Sequence, residues 1–293
     1  MDFPVAVALA ELVPTLPVGT SWRYEMKLDG HRAVLWREED TVRLQARSGR
    51  DVTANWMDLA LAAFEMLPPD VVLDGEAIIY AHGRIDFAAT QSRALSTPAR
   101  ARRLAEDLPA HFVAWDILLH PEHGDVRGRR YDERRALLVD LLEAYNVKPP
   151  IQLVPMTDDP AVAMTWYQQL PEQGIEGIVA KQATSVYRTT GRVWKKIRHA
   201  ETVEADVVGY TGPAARPRAL AVRLPDGRVA LTQSLKAPLA AQVAVHLAAS
   251  GPPRGTRTRA GEPYTTAAPG LVVEVLAGTT RHAVVTVTRL RST

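Results

Sequence analysis

Helical periodicity is confined almost entirely to the first two-thirds of this chain. Up to Arg198, apolar residues recur both at strand and at helix spacing; after it, helical patterns nearly vanish apart from Leu239–Ala248. A chain of 293 residues is about twice the usual single-domain length, so a mixed domain followed by a strand-built one is the expectation. The boundary is placed near His199–Glu204, giving domains over 1–200 and 201–293. The smaller part carries eleven Lys/Arg against six Asp/Glu, whereas the remainder is mildly acidic, which points to a polyanion partner for the C-terminal domain or to chance clustering of arginines.

In the first part, Tyr24–Met26 and Ala33–Trp36 read as strands flanking a polar turn, Lys27-Leu28-Asp29-Gly30-His31-Arg32. Val42–Ala46 alternates as a strand. Asn55 to Leu67 reads as a helix capped by Asn55 and stopped by Pro68-Pro69. Val71–Leu73 and Ala77–Tyr80 read as short strands around an Asp74-Gly75-Glu76 turn. Phe112–Leu119 is a buried-strand run, and Asp132–Tyr145 an amphipathic helix with Leu137, Leu138, Leu141 and Leu142 on one face. Ala161–Leu170 is helical, and Ile175–Ala180 returns to strand.

In the last third, strands are expected at Ala205–Tyr210, Ala219–Leu224, Val229–Thr232, Leu271–Leu276 and Ala283–Thr288, with a helix between the third and fourth. That pattern suits an oligonucleotide-binding (OB) barrel. Ser250–Gly261 reads as a flexible basic loop.

The chain has no cysteine, which excludes disulfides, zinc-thiolate sites, iron–sulfur clusters and thiol catalysis. No apolar run approaches the roughly 18 residues needed to span a bilayer. The first basic residue is Arg23, unlike the charged start of a signal peptide, so a cytoplasmic protein is expected.

Only six of the 35 basic residues are lysines, so each one is informative. Lysine can act as an amine nucleophile; arginine stays protonated. Lys27 ends a strand beside a glycine turn. Taken alone, K-x-D-G describes many solvated turns. Arg47-Ser48-Gly49, Asp74-Gly75-Glu76, Ala114-Trp115-Asp116, Glu176-Gly177-Ile178-Val179-Ala180-Lys181 and Trp194-Lys195-Lys196-Ile197-Arg198 follow it in that order. Together they combine an amine with carboxylates, cations and an aromatic. Cations near an amine favour its neutral form, carboxylates suit a divalent metal, and a flat aromatic suits a purine.

These segments, from about Trp22 to Arg198, resemble the nucleotidyltransferase motifs of ATP-dependent DNA ligases, within a superfamily that includes RNA ligases and capping enzymes. The resemblance implies an α+β nucleotidyltransferase fold of mixed, ATP-grasp-like antiparallel sheets with helices, followed by an OB barrel. It implies Lys27 as covalent nucleophile and Arg32 as a contact to the ribose and then the nick phosphate. Arg47 would bind the 5′-phosphate of the nick. Glu76 would accept the ribose hydroxyl, Trp115 would stack on adenine, and Glu176 would be the metal-associated glutamate, with Glu76 beside it. Lys196 and Arg198 occupy the last motif, where a second lysine is more common than Arg198. Glu25 and Asp29 would shape the base and ribose pocket.

The implied cofactors are ATP, carried as AMP on Lys27, and Mg2+ or Mn2+. The implied partner is nicked double-stranded DNA, with DNA-repair proteins possible, and the protein would be a monomer of the small bacterial type. The barrel would rotate about the 199–204 linker. The terminal Thr288–Thr293 departs from the family pattern: Arg289 and Arg291 are candidates to orient pyrophosphate, without the usual aspartate and lysine. Lys195 is read as surface or DNA-facing. Lys181 is left open between phosphate contact and structure, and His120-Pro121-Glu122-His123 is read as a solvated turn rather than a metal site. The rival readings are an RNA ligase or capping-type enzyme, and a nucleic-acid-binding module whose catalysis has decayed.

Overall fold

The computed structural model describes residues 1–198, 202–248, 254–259, 261–277 and 285–291. The linker reading at 199–204 and the basic loop at Ser250–Gly261 fall partly outside the described residues, as do the side chains of Arg289 and Arg291. The chain divides into two compact units, Met1–His199 and Ala200–Thr293.

In chain order the first unit runs β1 (Ala10–Leu12), β2 (Trp22–Leu28), β3 (His31–Arg37), β4 (Val42–Ala46), a short 3-10 turn (Thr53–Asn55) and α1 (Met57–Met66). Next come β5 (Val71–Ala81), β6 (Arg84–Ile85), α2 (Phe87–Ala94), α3 (Pro98–Asp107), β7 (Ala110–His120), β8 (Gly124–Asp125) and α4 (Tyr131–Ala144). It closes with β9 (Ile151–Leu153), β10 (Met156–Thr157), α5 (Pro160–Gln169), β11 (Ile175–Gln182) and β12 (Trp194–Arg198). One sheet has the order β1-β12-β11-β2-β10; the other has β4-β3-β5-β7-β8, with β6 on β5 and β9 on β7.

Strands β2 and β3 do not form a hairpin. They are successive in sequence but belong to different sheets, so the Asp29-Gly30 connection carries the chain from one sheet to the other. Gly30 is needed for space. A Cβ there would lie 2.6 Å from the Ala77 carbonyl oxygen and 2.7 Å from Glu76 Cγ. Leu28, Ile78, Val113 and Ile175 form one buried apolar cluster bridging the sheets, and Val34, Trp36, Leu118, Tyr187 and Trp194 form another. The main core lies on the opposite face of the second sheet, where Leu73 and Phe112 meet Trp56 and Leu59 and, from α4, Leu138 and Leu141. Each such side chain contributes about 1.5–3 kcal/mol on burial.

Asp74-Gly75-Glu76 is not a turn. It lies inside the continuous strand β5, flanked by β3 and β7. Gly75 is required there because a Cβ would meet the Phe112 ring and the Val113 carbonyl at 2.6 Å. Asn55 does not cap α1. Trp56 holds that position without a side-chain cap, and Asn55 instead donates to the Ser96 and Arg93 carbonyls. Helices α2 and α3 fill 87–107, a stretch for which the sequence reading assigns no element. Asp86 caps α2 by accepting from the Ala89 amide, and Pro98 follows Thr97 at the start of α3.

The second unit has β13 (Thr202–Thr211), β14 (Ala219–Arg223), β15 (Val229–Leu231), α6 (Ala237–Leu247), β16 (Gly255–Arg257), β17 (Pro263–Thr266), β18 (Val272–Ala277) and β19 (Val285–Arg291). Strand β13 pairs with β14, β17 and β18; β14 pairs with β15, and β18 with β19. A parallel bridge between Thr232 and Val285 joins the end of β15 to β19, closing a ring of five strands. Val207, Leu220, Val222, Val243 and Val273 fill it, with Val243 coming from α6. Part of Ser250–Gly261 is ordered as β16, paired with β17. Among the described residues, no helix is long and apolar enough to cross a membrane.

Candidate active site

A cavity of about 780 Å³ in the first unit is lined from both of its sheets. The lining includes Glu25, Lys27, Asp29, Arg32, Arg47, Glu76, Trp115, Lys196 and Arg198, so nine of the ten residues singled out from sequence converge on it. The tenth, Glu176, reaches it through two of those side chains.

Register explains that convergence. Lys27 on β2 lies opposite Gly177 on β11, which lies opposite Arg198 on β12. Two residues along, Glu25, Val179 and Lys196 form the next row. Alternation along a strand puts both rows on one face. Between Ile175 and Gly177 the pairing slips by one residue, leaving Glu176 as a bulge. A bulge re-aims its side chain. Glu176 accepts a short hydrogen bond from Lys27 Nζ, and its other oxygen lies 3.3 Å from Arg198 Nη1. Burial would raise the Glu176 carboxyl, but Lys27 and Arg198 outweigh it and hold it below the usual range.

Across the gap, Arg32 is locked in a bidentate pair with Asp74, at 3.0 and 2.6 Å, and donates to the Ala8 carbonyl at 2.7 Å. The same Asp74 accepts from the Tyr187 hydroxyl at 2.7 Å. Asp74 is fully buried. Removing either partner of such a pair costs about 3–5 kcal/mol. Arg32 also lies 5.3 Å from the Trp115 ring. Arg47 is exposed on the connection after β4.

Glu25 forms the inner wall. It is buried and accepts from the Tyr131 hydroxyl and from Lys181 Nζ, the latter at 2.8 Å. Lys181 also donates to the Trp115 carbonyl at 3.2 Å, and its ammonium lies 4.3 Å from the Trp194 ring. The geometry therefore engages Lys181 as a buried support for Glu25 and Trp115. Lys195 points the other way and pairs with exposed Glu11. His120 and His123 close a turn after β7, and among the described residues no cluster of three or more metal-ligating side chains occurs.

Tyr131, Trp194, Arg50 and Arg192 are site residues that sequence reasoning leaves without a role. Trp194 stood within a quoted motif, and its place two residues before Lys196 on a strand was the available signal. Tyr131 gave no such signal, because it falls just before the helix expected from Asp132 and opens the observed one.

Two acids near Lys27 are poised by burial. Asp29 is pushed up to about 6 by burial and by the Glu176 charge. Glu76 is pushed up to about 7 by burial, against the pull of Lys27 and Arg32. With its pKa higher in the folded than in the unfolded chain, Glu76 binds more protons when folded, so its contribution to stability falls as pH rises through 7. Glu76→Gln should therefore stabilise the nucleotide-free protein in EDTA at pH 8 by about 2 kcal/mol and flatten the loss of stability between pH 6 and 8. Urea unfolding at both pH values measures this, and an unchanged pH slope would refute the burial argument.

Residues 8–198 match the family described as the ATP dependent DNA ligase domain. DNA ligase C of Mycobacterium tuberculosis (strain ATCC 25618 / H37Rv) is 36% identical over 209 residues, covering 71% of this chain and 58% of that protein. A multifunctional non-homologous end joining DNA repair protein, LigD, of the same strain is 33% identical over 194 residues, covering 65% of this chain and 23% of that protein. The chain thus spans less than two-thirds of the length of these relatives. Among solved structures, mycobacterial DNA ligase D complexed with ATP and MES is similar, with TM-score 0.51, 26% identity and coverage of 97% of this chain and 95% of that one.

Proposed function

The chain belongs to the ATP-dependent DNA ligase family, and from that premise we propose that it seals nicks in duplex DNA through an AMP carried on Lys27. The observation that carries this reading is the contact of Lys27 and Arg198 with bulged Glu176 at a cavity large enough for a nucleotide.

Lys27 Nζ, having given its proton to solvent, attacks the α-phosphorus of ATP. An N–P bond forms, the bond to the β-phosphate oxygen breaks, and pyrophosphate leaves. Glu176 already accepts a hydrogen bond from that nitrogen and so holds it in place. Lys196 and Arg198 supply positive charge beside the α-phosphate. Burial, together with the charges of Lys27 and Arg198, lowers the pKa of the Lys196 ammonium from the ordinary lysine value, with Glu176 opposing. Trp115 offers a flat face for adenine, and Glu25 and Asp29 shape the base and ribose pocket. Glu76 would take the ribose hydroxyl.

The nick's 5′-phosphate, held by Arg47 and Arg32, then attacks the AMP phosphorus and releases Lys27. In the last step the 3′-hydroxyl attacks the activated 5′-phosphate and AMP departs. Arg32 is already spent in part on Asp74 and Ala8, so it presents a fixed rather than a mobile cation.

Glu176 and Glu76 fit a hard divalent cation, since both are carboxylates near Lys27 and the burial of Glu76 leaves its negative charge short of compensation. Mg2+ or Mn2+ held by them and by substrate phosphates would neutralise the phosphate oxygens and the leaving pyrophosphate. The closed five-strand ring of the second unit supports its reading as an OB barrel. Its basic balance supports sequence-independent contact with phosphates. The protein acts as a cytoplasmic monomer, with DNA-repair proteins as its partners.

The test uses α-labelled ATP with magnesium. Label should appear first on the protein, then on the 5′ end of a nicked strand, and then as free AMP when the strand is sealed. Failure to label the protein would overturn the covalent route. Sealing of nicked RNA in preference to nicked DNA would move the protein to the RNA ligase reading.

A further inference from the structure

Helix α3 presents Arg100, Arg102 and Arg103 to solvent, and among the described residues none of the three is paired with an acid. Glu106 and Asp107 occupy its last turn, and its first turn has no acid. The helix fully buries only Ala101, so apolar packing alone does not hold it. It is clamped by polar contacts at both ends. Asn55 Nδ2 donates to the Ser96 carbonyl at 2.8 Å, just before the helix starts. Fully buried Arg93 donates to the Leu108 carbonyl at 3.2 Å, just after it ends, and to the Asn55 carbonyl at 3.0 Å, while also pairing with Asp58. The arginine face is therefore a rigid platform.

Its position is informative. Asn55 lies five residues beyond Arg50, and Arg47 and Arg50 line the mouth of the cavity. Five residues reach at most about 17 Å, roughly five base pairs of B-DNA. The outward face of α3 carries no aromatic or large aliphatic side chain to anchor a protein partner. Arg100 and Arg102 instead flank buried Ala101 on either side of the helix and Arg103 points outward between them, a fan of guanidinium groups that suits a phosphate backbone.

We propose that α3 is a phosphate-binding platform for the duplex arm that carries the 5′-phosphate of the nick. This rests on the nick-sealing reading above, and the arm is chosen because Arg47, the candidate 5′-phosphate contact, lies on the connection leading to Asn55.

The test compares the full chain with R100Q/R102Q/R103Q on nicked duplexes whose 5′-phosphate arm is long or is a hairpin-capped stem of about 2 base pairs, shorter than that reach. On the long arm the variant should bind about tenfold more weakly at low salt, and its log–log salt slope should fall by about 2 to 3. Its labelling by ATP should be unchanged. R100K/R102K/R103K should keep most of the slope, and wild-type protein on the short arm should match the glutamine variant. An unchanged slope, or wild-type binding indifferent to the length of that arm, would overturn the platform. Wild-type protein that takes label from ATP but binds no nicked duplex would sink the ligase reading itself, and the platform with it.

Discussion

Lys27→Ala should yield no AMP-labelled protein, a loss of at least about 10³-fold relative to wild type. Lys181 is engaged by Glu25 and the Trp115 carbonyl. Lys195 faces away toward Glu11. Lys196 lies in the neighbouring row, opposite Val179. Among the described residues, only Lys27 has its amine on Glu176 at the strand end that opens into the cavity. Lys27→Arg separates nucleophile from ion-pair partner: it keeps a cation beside Glu176 but supplies no usable amine, so it should be equally unlabelled. Both variants should unfold within about 1 kcal/mol of wild type, because the pair is partly exposed and Arg198 remains on Glu176. Label persisting on folded Lys27→Ala protein would remove Lys27 from the chemistry.

Most of the residues that met in the cavity were legible because they sit on strongly patterned strands, with Asp29 and Arg47 on the connections just beyond strand ends. Alternation alone puts Glu25 with Lys27, and Lys196 with Arg198. Sequence could not show that β2 and β3 part company, since an Asp-Gly turn between two apolar runs looks the same whether the strands pair or enter different sheets. Gly75 misled for a related reason. A glycine between two acids signals a turn, yet here it makes room for the Phe112 ring, a demand made by a residue on another strand. The polar core was the least visible part. Arg134 and Arg135 share the buried side of α4 with Leu138 and Leu142; Arg134 pairs with fully buried Asp116 beside Trp115. Helical periodicity marks arginines as solvent-facing, and only the position of Asp116 on the adjacent β7 reverses that expectation. The same holds for Asn55 and for Arg93, which besides pairing with Asp58 bonds backbone carbonyls that no side-chain pattern reveals.

Gly177→Ala should be the most damaging of the small substitutions. A Cβ at this position would lie 2.1 Å from the Ile197 carbonyl oxygen and 2.6 Å from Arg198 Cα. Both are backbone atoms of β12, so no side chain can swing aside, and the two strands must separate. Separation of about 1 Å is enough to break the approach of Arg198 to Glu176 and to turn the bulged Glu176 away from Lys27. The expected cost is about 3 kcal/mol in stability. Labelling of the protein that remains folded should fall about 10²-fold, read as rate per folded molecule. Gly128→Ala is the matched control, because nothing lies within 4 Å of a Cβ there, and it should be neutral in both measurements. If Gly177→Ala behaved like Gly128→Ala, the close approach of β11 to β12 would not be what brings lysine, glutamate and arginine together.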